Sequence, residues 1–461
     1  MVDPEFFTPY MTEGNQMYSS GGNISHKTKS KETIRPKSEP KPTLDEITIS
    51  LFQQNSDPPY MTNTPDYYFP VELLKSNWFS KASANARYNM HHIVSHKVTL
   101  DFEDSPAILM GKTYYPRIIE TNQPINKTDG ELGYKEFIRD FSQIIWVTYR
   151  SGFRPINRLK GSEKQHLKVL TTDAGWGCTI RAGQMMLLNT LKRHFNYEDN
   201  FSLLETIQEN LMTAPFSVHK ITELGVEFDK LPGDWYSPST ICHTIERLIS
   251  KNPIPNFKAK VFMDSVIYRD QLISALVDIP FETFDCEESS EECNDCFEKF
   301  LAYDWDASIL IMLPVMLGLK TIQPEFHSAV KYFLSMPQTV GIVGGKPRSA
   351  LYFVGYQEES FIFLDPHLVQ KVCKSNESLR ENQASYSCSS PKILPICEAE
   401  SSMSLGFYIR NKEDYVLFEK LMEAGKDQIN GLITLKTHTP DYCRENYQHP
   451  AQNEGDDYII L

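Results

Sequence analysis

The sequence is poor in cysteine, in positive charge and in long apolar runs, and each shortage excludes a class of protein. Nine cysteines among 461 residues is a low, odd number that does not suggest a disulfide framework. Lysine and arginine total 46 against 60 aspartates and glutamates, and this net charge of −14 argues against a nucleic-acid-binding protein, which needs a basic face. The longest apolar run, ASILIMLPVMLGL (307–319), is too short to cross a bilayer and contains a proline, so we expect it in the core.

The N-terminus lacks the features of a secretory signal, since MVDPEFFTPY has neither a basic region nor an apolar one. We therefore expect a reducing, cytoplasmic compartment, where thiols stay free and a thiol nucleophile can persist. Cys293 and Cys296 form a CxxC pair near Cys286, but no fourth ligand is evident and the surroundings are acidic. The sequence thus predicts no metal and no other cofactor.

Composition divides the chain into an arm, a domain and a tail. Residues 1–104 are predicted to be a largely disordered N-terminal arm, because stretches such as GGNISHKTKSKETIRPKSEPKPT are polar and rich in proline and lysine. Periodic structure is predicted over 105–439, and 440–461 is predicted to be a flexible tail. Within the domain, the acidic segment 286–296 and the serine-rich segment 374–395 are both expected to be surface loops.

Helical patterns dominate the first half of the domain and strand patterns the second. GYKEFIRDFSQII and RAGQMMLLNTLKRHF carry apolar residues at helical spacing, and SPSTICHTIERLIS (237–250) predicts a capped helix. Strands are predicted in AILMGKTYY (107–115), AKVFMDSVI (259–267) and SILIML, with a hairpin in SALYFVGYQEESFIFLDPH (349–367). Helices followed by an antiparallel sheet indicate an α+β fold.

The stretch TTDAGWGCTIRAGQMMLLNTL places Cys178 between a Gly-Trp-Gly turn and a predicted helix. A helix N-terminus offers unpaired N–H groups and a positive dipole end, which lower the pKa of a thiol. Gly175 and Gly177 leave room for a substrate backbone beside the sulfur. The alternative is that Cys178 is a small buried hydrophobic residue, and its position alone does not decide between the two.

A nucleophilic cysteine needs a base, and the base needs an orienting partner. Asp365 and His367 in LDPH are two residues apart, so an extended segment turns both to one face, where the carboxylate can orient the imidazole. The alternative is an ordinary Asp-Pro turn after a strand. GIVGGKPRSA (341–350) lacks the order of a phosphate-binding loop and is interpreted as a mobile lid or turn. Trp235 lies in a predicted loop, where partial packing is the more ordinary role.

An ordered set of motifs extends over roughly residues 108–418. The motifs are VTYRSGFRPI, DAGWGCTIRAGQMMLLNTL, APFSVHKITELGVEF, PGDWYSPST, ILIMLPVMLGL, MPQTVGIVGGKPRSALYFVGY and FIFLDPH. In this order they resemble the autophagins, the cysteine proteases of autophagy. The resemblance implies a papain-like α+β cysteine protease fold with a small auxiliary subdomain, flanked here by disordered tails. It also implies a triad in the chain order Cys, Asp, His.

The resemblance assigns roles to particular residues. It implies that Cys178 is the nucleophile, that Asp365 and His367 complete the triad, and that the hydroxyl of Tyr149 contributes to the oxyanion hole. Substrate-binding roles are implied for a clamping tryptophan and for a lid loop over 344–349, whose proline meets the tryptophan. These residues are Trp235, Gly344, Gly345 and Pro347.

The resemblance also implies a substrate, the ubiquitin-like modifier of autophagy. The enzyme is expected to cleave after the modifier's C-terminal glycine, both to mature the precursor and to release the modifier from phosphatidylethanolamine. Its expected location is the cytoplasm, with transient recruitment to autophagosomal membranes through the lipidated substrate, and a nuclear location stays open. Alternatives are a protease for another ubiquitin-like protein and a non-catalytic adaptor that binds the modifier.

The C-terminal DDYIIL resembles short motifs that add a strand to the autophagy modifier and fill two apolar pockets. Tyr458 and Leu461 would then be the anchors of a second substrate-binding element. The alternative is a frayed terminus without a partner, since four-residue patterns arise by chance.

Overall fold

The computed structural model describes residues 100, 105–115, 128–158, 168–211, 213–277, 305 and 307–440. All of them belong to one unit that spans Leu44–Leu461. The predicted N-terminal arm apart from Leu100, the acidic segment 286–296, and Tyr458 and Leu461 in the predicted tail lie outside the described residues.

Within the described residues, the strands form one large sheet and two small ones. The described part of the large sheet has nine strands in the order β12-β10-β9-β8-β13-β7-β5, with β1 paired to β9 and β2 to β1. Most neighbours are antiparallel, whereas β5 runs parallel to β7. The small sheets are β11-β3-β4 and β14-β6. The strands are β1 (Ala107–Leu109), β2 (Lys112–Tyr114), β3 (Tyr149–Arg158), β4 (Lys168–Thr172), β5 (Phe257–Val261), β6 (Val266–Tyr268), β7 (Ser308–Thr321), β8 (Thr339–Lys346), β9 (Ser349–Gln357), β10 (Ser360–Leu364), β11 (Val369–Lys371), β12 (Lys392–Pro395), β13 (Glu400–Ile409) and β14 (Thr434–Lys436).

Helices cover the sheet. Those of the described residues are α1 (Thr128–Ser142), α2 (Cys178–Phe195), α3 (Phe201–Glu205), α4 (Val218–Gly225), α5 (Pro238–Lys251), α6 (Arg269–Val277), α7 (His327–Ser335), α8 (Asn376–Glu381), α9 (Lys412–Ala424) and α10 (Lys426–Ile429). The start of α5 confirms the predicted cap, because the Ser237 hydroxyl accepts the Thr240 N–H at 3.0 Å and Pro238 follows directly. In the described part of the chain, no helix is long and apolar enough to span a bilayer.

Most of β7 is buried on both faces, as predicted for the apolar run 307–319, but the end of that run lies outside the core, since Met316 is 55% exposed and Leu319 is 96% exposed. Leu310 and Met312 of β7 pack in one hydrophobic cluster, whereas Ile309, Ile311 and Leu313 pack in another. This alternation is the two-residue period of a strand. Helix α2 lies in the first cluster against β8 and β9 and is buried from residue 178 to 191. The early helices and later sheet agree with the α+β class predicted from the sequence.

Several predicted elements differ in detail. The first predicted strand, 107–115, is a short hairpin of β1 and β2, because Met110 and Gly111 both have positive φ at its turn. The second, 259–267, contains the end of β5 and the start of β6. The predicted hairpin of β9 and β10 is confirmed.

The serine-rich segment 374–395 is not the surface loop predicted from its composition. It folds as α8, a 3-10 turn and β12. Leu379 and Tyr386 are buried in the main core and anchor the segment. Ser375 caps α8 by accepting the Ser378 N–H at 3.1 Å, so a residue that suggests a loop here begins a helix.

Candidate active site

Cys178 is the first residue of α2, as the sequence predicts, and its side chain is buried with 5% of its surface exposed. The turn before it is tight, because the Asp173 carbonyl accepts the N–H groups of Trp176 at 3.1 Å and Gly177 at 2.9 Å. A Cβ at Gly177 would lie 2.6 Å from the Asp173 carboxylate, so only glycine fits there. The positive φ of Gly175, 88°, completes the turn. The thiol therefore lies at the N-terminal end of a long buried helix.

Asp365 and His367 lie directly after β10 and contact each other. Asp365 Oδ1 accepts a hydrogen bond from the His367 backbone N–H at 3.0 Å and lies 2.7 Å from Nδ1 of the same ring. Side-chain exposure is only 9% for Asp365 and 13% for His367. Residues 366 and 367 form a turn rather than the extended segment that the sequence predicted, so the Asp-Pro turn given as the alternative is the one observed. The hydrogen bond from the His367 N–H to the Asp365 carboxylate in this turn brings carboxylate and imidazole together.

The thiol, the imidazole and the carboxylate perturb one another's pKa values. Burial acts to raise the pKa of Cys178, but the hydrogen bond and charge of His367 outweigh it, so the thiol pKa lies below its ordinary value. Burial acts to lower the pKa of His367, yet Asp365 and Cys178 raise it to about 9. The pKa of Asp365 lies well below its usual range despite burial, because His367 and Lys392 favour the carboxylate. The shifts of Cys178 and His367 both act in the direction of a thiolate–imidazolium pair.

Tyr149 is the first residue of β3 and lies beside both groups. Its N–H donates to the Pro366 carbonyl at 2.9 Å, and its ring meets the His367 ring edge-on with 5.4 Å between centroids. Its side chain packs in one small buried cluster with Cys178, and it acts to lower the pKa of the thiol. The parallel pairing of Tyr149 with Val369 of β11 holds this strand against the segment that carries the imidazole. The structure therefore brings together all four residues that the sequence suggested for catalysis.

Four further residues contact the site. Ala350 packs against the small cluster that contains Cys178 and acts through its backbone to lower the pKa of the thiol, and the Ser349 hydroxyl lies 3.3 Å from Nε2 of His367. Lys392 Nζ donates to Asp365 Oδ2 at 2.8 Å, and the Trp146 indole N–H donates to the Asp365 carbonyl at 2.8 Å. The sequence placed Ser349 and Ala350 in the predicted lid segment without a role at the triad. It gave no sign of Trp146 and Lys392, because contacts between distant parts of the chain bring those two residues to Asp365.

The segment interpreted as a mobile lid is a tight hairpin between β8 and β9. Gly344 and Gly345 are buried strand residues that pair with Leu351 and Ala350, respectively. Only Pro347 and Arg348 lie outside the strands, exposed at a two-residue turn where Arg348 has a φ of 63°. The glycines allow close packing, since a Cβ at Gly344 would lie 2.9 Å from a buried phenylalanine ring.

Trp235 is bound to the turn that precedes Cys178. Its indole N–H donates to the Gly175 carbonyl at 2.8 Å, and 44% of its surface is exposed. Tyr236, the next residue, is instead buried with its hydroxyl donating to the Ile221 carbonyl at 3.2 Å. Trp235 is therefore a large, solvent-exposed apolar side chain that is bound to Gly175, the residue three positions before Cys178.

A buried ion cluster is bound to the turn before Cys178 through Asp173. Arg181, one turn after Cys178, donates from Nε to Asp173 at 2.6 Å and from Nη1 to Glu209 at 2.7 Å, and all three side chains are within 1% of full burial. The other Asp173 oxygen accepts the Arg150 N–H at 2.7 Å. Asp173 thereby links the turn before Cys178 to the strand that begins at Tyr149.

The chain matches the peptidase C54 catalytic domain over residues 134–422. It is 31% identical to the probable cysteine protease atg4 of Aspergillus niger over 75% of this chain and 84% of the relative. It is 29% identical to cysteine protease ATG4D of Xenopus laevis, over 75% of this chain and 76% of that protein. It is 26% identical to human cysteine protease ATG4C, over 84% of this chain and 94% of the human protein.

These matches confirm the resemblance to the autophagins and the papain-like α+β class that it implied. They extend over the turn of Cys178, the strand of Tyr149 and the segment of Asp365 and His367 alike. The chain belongs to the peptidase C54 family and is an autophagy-related cysteine protease.

Proposed function

We propose that this protein hydrolyses the bond after the C-terminal glycine of the ubiquitin-like autophagy modifier. The observation that carries the proposal is the contact of Cys178, at a helix N-terminus, with His367, which is in turn bound to Asp365. A thiol with a lowered pKa, a base and an orienting carboxylate are the parts that nucleophilic catalysis requires. The family membership supports the choice of substrate.

In the first half of the proposed reaction, the Cys178 thiolate attacks the glycine carbonyl. The negative charge that develops on the carbonyl oxygen is stabilised by the Tyr149 hydroxyl and by the Cys178 backbone N–H, which lies in the first turn of α2 and has no partner within that helix. The His367 imidazolium donates its proton to the leaving amine, and a thioester remains on Cys178. Asp365 keeps the ring in the orientation that presents Nε2 to the reacting atoms.

In the second half, water hydrolyses the thioester. Neutral His367 accepts a proton from the water, and hydroxide character forms at the attacking oxygen. The glycine carboxylate leaves, and the thiolate and imidazolium are restored. The same residues act in both halves, because the group that donates a proton in one direction accepts it in the other.

We propose that Trp235 and the hairpin residues near the thiol select glycine by leaving no room for a side chain. The indole of Trp235 is bound to the turn before Cys178, the hairpin residue Ser349 lies next to the imidazole, and Ala350 packs against the cluster that contains the thiol. A glycine backbone carries no side chain and fits a narrow approach of this kind. Movement of the turn at Pro347 would admit the substrate tail, which is a gating role of the kind that loops over active sites commonly have.

Maturation and delipidation require the same chemistry. A peptide extension and phosphatidylethanolamine are both joined to the glycine through an amide nitrogen, so His367 protonates an amine in either case. We therefore propose that one site performs both reactions. Activity in the cytoplasm, with transient recruitment to autophagosomal membranes through the lipidated substrate, follows from this proposal.

The test uses the purified autophagy modifier with a C-terminal extension, incubated with wild-type protein or with Cys178→Ala. Mass spectrometry should show a product that ends at the glycine with the wild type and intact substrate with the variant. Ubiquitin with the same extension is the specificity control. Cleavage of ubiquitin but not of the modifier would indicate a protease for another ubiquitin-like protein. Binding of the modifier without cleavage by either protein would indicate a non-catalytic adaptor.

A further inference from the structure

Lys392 forms a buried ion pair with the carboxylate that orients His367. It is the first residue of β12, whose antiparallel register pairs it with Phe363, two residues before Asp365. Its Nζ lies 2.8 Å from Asp365 Oδ2, and only 12% of the lysine side chain and 9% of the aspartate side chain are exposed. A buried charge of this kind is uncommon unless a partner compensates it.

We propose that Lys392 is a positioning residue that fixes the Asp365 carboxylate and sets the upper pH limit at which His367 keeps its catalytic proton. This inference rests on the proposed function in one respect, since it takes the thiol, imidazole and carboxylate as the reacting triad.

The hydrogen bonds of Asp365 show how the lysine fixes it. Oδ1 accepts both the backbone N–H and the Nδ1–H of His367, whereas Oδ2 faces Lys392. With both oxygens held, the carboxylate cannot rotate away from the ring. The carbonyl of the same residue is held by the Trp146 indole N–H at 2.8 Å, so the backbone is fixed as well. Loss of the lysine leaves Oδ2 as a buried anionic oxygen without its cation.

The electrostatic consequence has a definite sign. The ionisable groups that face the dyad are Cys178 from α2, Tyr149 from β3, Cys388 from the segment before β12, and Lys392 itself. The ammonium of Lys392 offsets part of the negative charge of Asp365. Without it, Asp365 holds the imidazolium proton more strongly, and the proton is lost only at higher pH. A charge roughly 6 Å away changes a pKa by about two units at an effective dielectric constant of about 20 and by about half a unit in water, so we expect a shift of about one unit between these limits.

The experiment compares wild type with Lys392→Met, which keeps the length of the side chain but removes its charge, and with Lys392→Arg, which keeps the charge. Lys331→Met is the matched control, because Lys331 pairs with Glu359 at the far end of β10. The first readout is the rate of Cys178 alkylation by iodoacetamide between pH 4 and 11, followed by peptide mass spectrometry, and it needs no substrate. The second readout is the pH profile of kcat/KM for cleavage of the modifier, with kcat and KM determined separately.

For Lys392→Met we expect loss of the His367 proton to move to higher pH by about one unit, both in the high-pH step of the alkylation curve and in the alkaline limb of kcat/KM. We also expect kcat to be about tenfold lower and KM to be nearly unchanged. Lys392→Arg should restore the position of the alkaline limb. Curves for Lys392→Met that coincide with those of Lys331→Met would overturn the inference. A lower kcat without a moved limb, not restored by arginine, would show a structural role only and would also overturn it.

The two proposals fail in distinguishable ways. If wild-type protein does not cleave the modifier, the proposed function is wrong, and the alkylation curves still decide the role of Lys392. If wild-type protein cleaves the modifier and the curves do not move, only the inference about Lys392 is wrong. Thermal unfolding of each variant at pH 7 shows whether a change in rate reflects loss of the folded protein.

Discussion

Replacement of Arg181 by methionine is the sharpest test of how the nucleophile is held in place. Arg181 is fully buried one helical turn after Cys178, and it joins two carboxylates, those of Asp173 and Glu209, at 2.6 and 2.7 Å. Methionine fills most of the space of the arginine stem but cannot compensate either charge. Arg181→Met therefore leaves two buried carboxylates close together without a cation.

The size of the effect follows from burial. Removal of one partner from a buried ion pair costs about 3–5 kcal/mol, because the remaining charge keeps its desolvation penalty and loses its attraction. Folded domains have a free energy of unfolding of only about 5–15 kcal/mol, so the variant should lose a large share of its stability. Asp173 accepts the backbone N–H of Arg150 in addition to the Nε–H of Arg181. Its displacement should therefore disturb the strand of Tyr149 as well as the turn of Cys178.

Urea unfolding at pH 7 measures this cost, with Arg247→Met as the matched control. Arg247 is 56% exposed and lies 3.6 Å from Glu227, so its loss should cost about 1 kcal/mol or less. Addition of Asp173→Asn and Glu209→Gln to Arg181→Met removes the uncompensated charges and should recover about half of the loss. Equal unfolding midpoints for Arg181→Met and Arg247→Met would refute the reasoning, and so would a triple variant less stable than Arg181→Met.

Three further predictions concern residues of the active site and its surroundings. Tyr149→Phe should lower kcat by roughly 10²–10³ with little change in KM in steady-state assays, because one oxyanion donor is lost; an unchanged kcat would exclude that role. Trp235→Ala should lower the ratio of kcat/KM for a modifier with glycine before the cleaved bond to kcat/KM for a modifier with alanine there. An unchanged ratio would contradict a role of Trp235 in the selection of glycine. The raised pKa of His367, about 9 against 6.5 unfolded, contributes stability that is fully present below pH 6.5 and is lost as pH rises through 9. The stability difference between wild type and His367→Gln, measured by urea unfolding, should therefore shrink between pH 7 and 10; a constant difference would contradict the assignment.

Local sequence was sufficient for the two segments that carry the reacting groups. A glycine turn followed by helical periodicity predicted that Cys178 begins a helix, and a spacing of two predicted that Asp365 and His367 meet, although they meet in a turn and not in the extended segment assumed for them. Both predictions depend on neighbours within one turn or one strand, where backbone geometry alone fixes the relation. The contact between the thiol and the imidazole is not local, and the sequence supported it only through the resemblance to a family.

The supporting residues could not be predicted, because sheet register brings them to the site. Lys392 reaches Asp365 only because β12 pairs with β10 in a register that sets Lys392 opposite Phe363. The serine-rich composition of that segment suggested a loop, yet a few apolar residues such as Leu379 anchor it in the core. A composition rule averages over a segment, whereas packing depends on its individual apolar residues.

The site consists of charges that alternate in sign along a chain of contacts: Lys392, Asp365, His367 and Cys178. Each is buried, so each is stable in its charged form only while its neighbour is in place. Three separate segments supply these residues, namely the start of α2, the end of β10 and the edge strand β12. The lowered pKa of the Cys178 thiol therefore depends on the folded arrangement of these three segments, whereas an unfolded chain carries an ordinary cysteine with a weakly nucleophilic thiol.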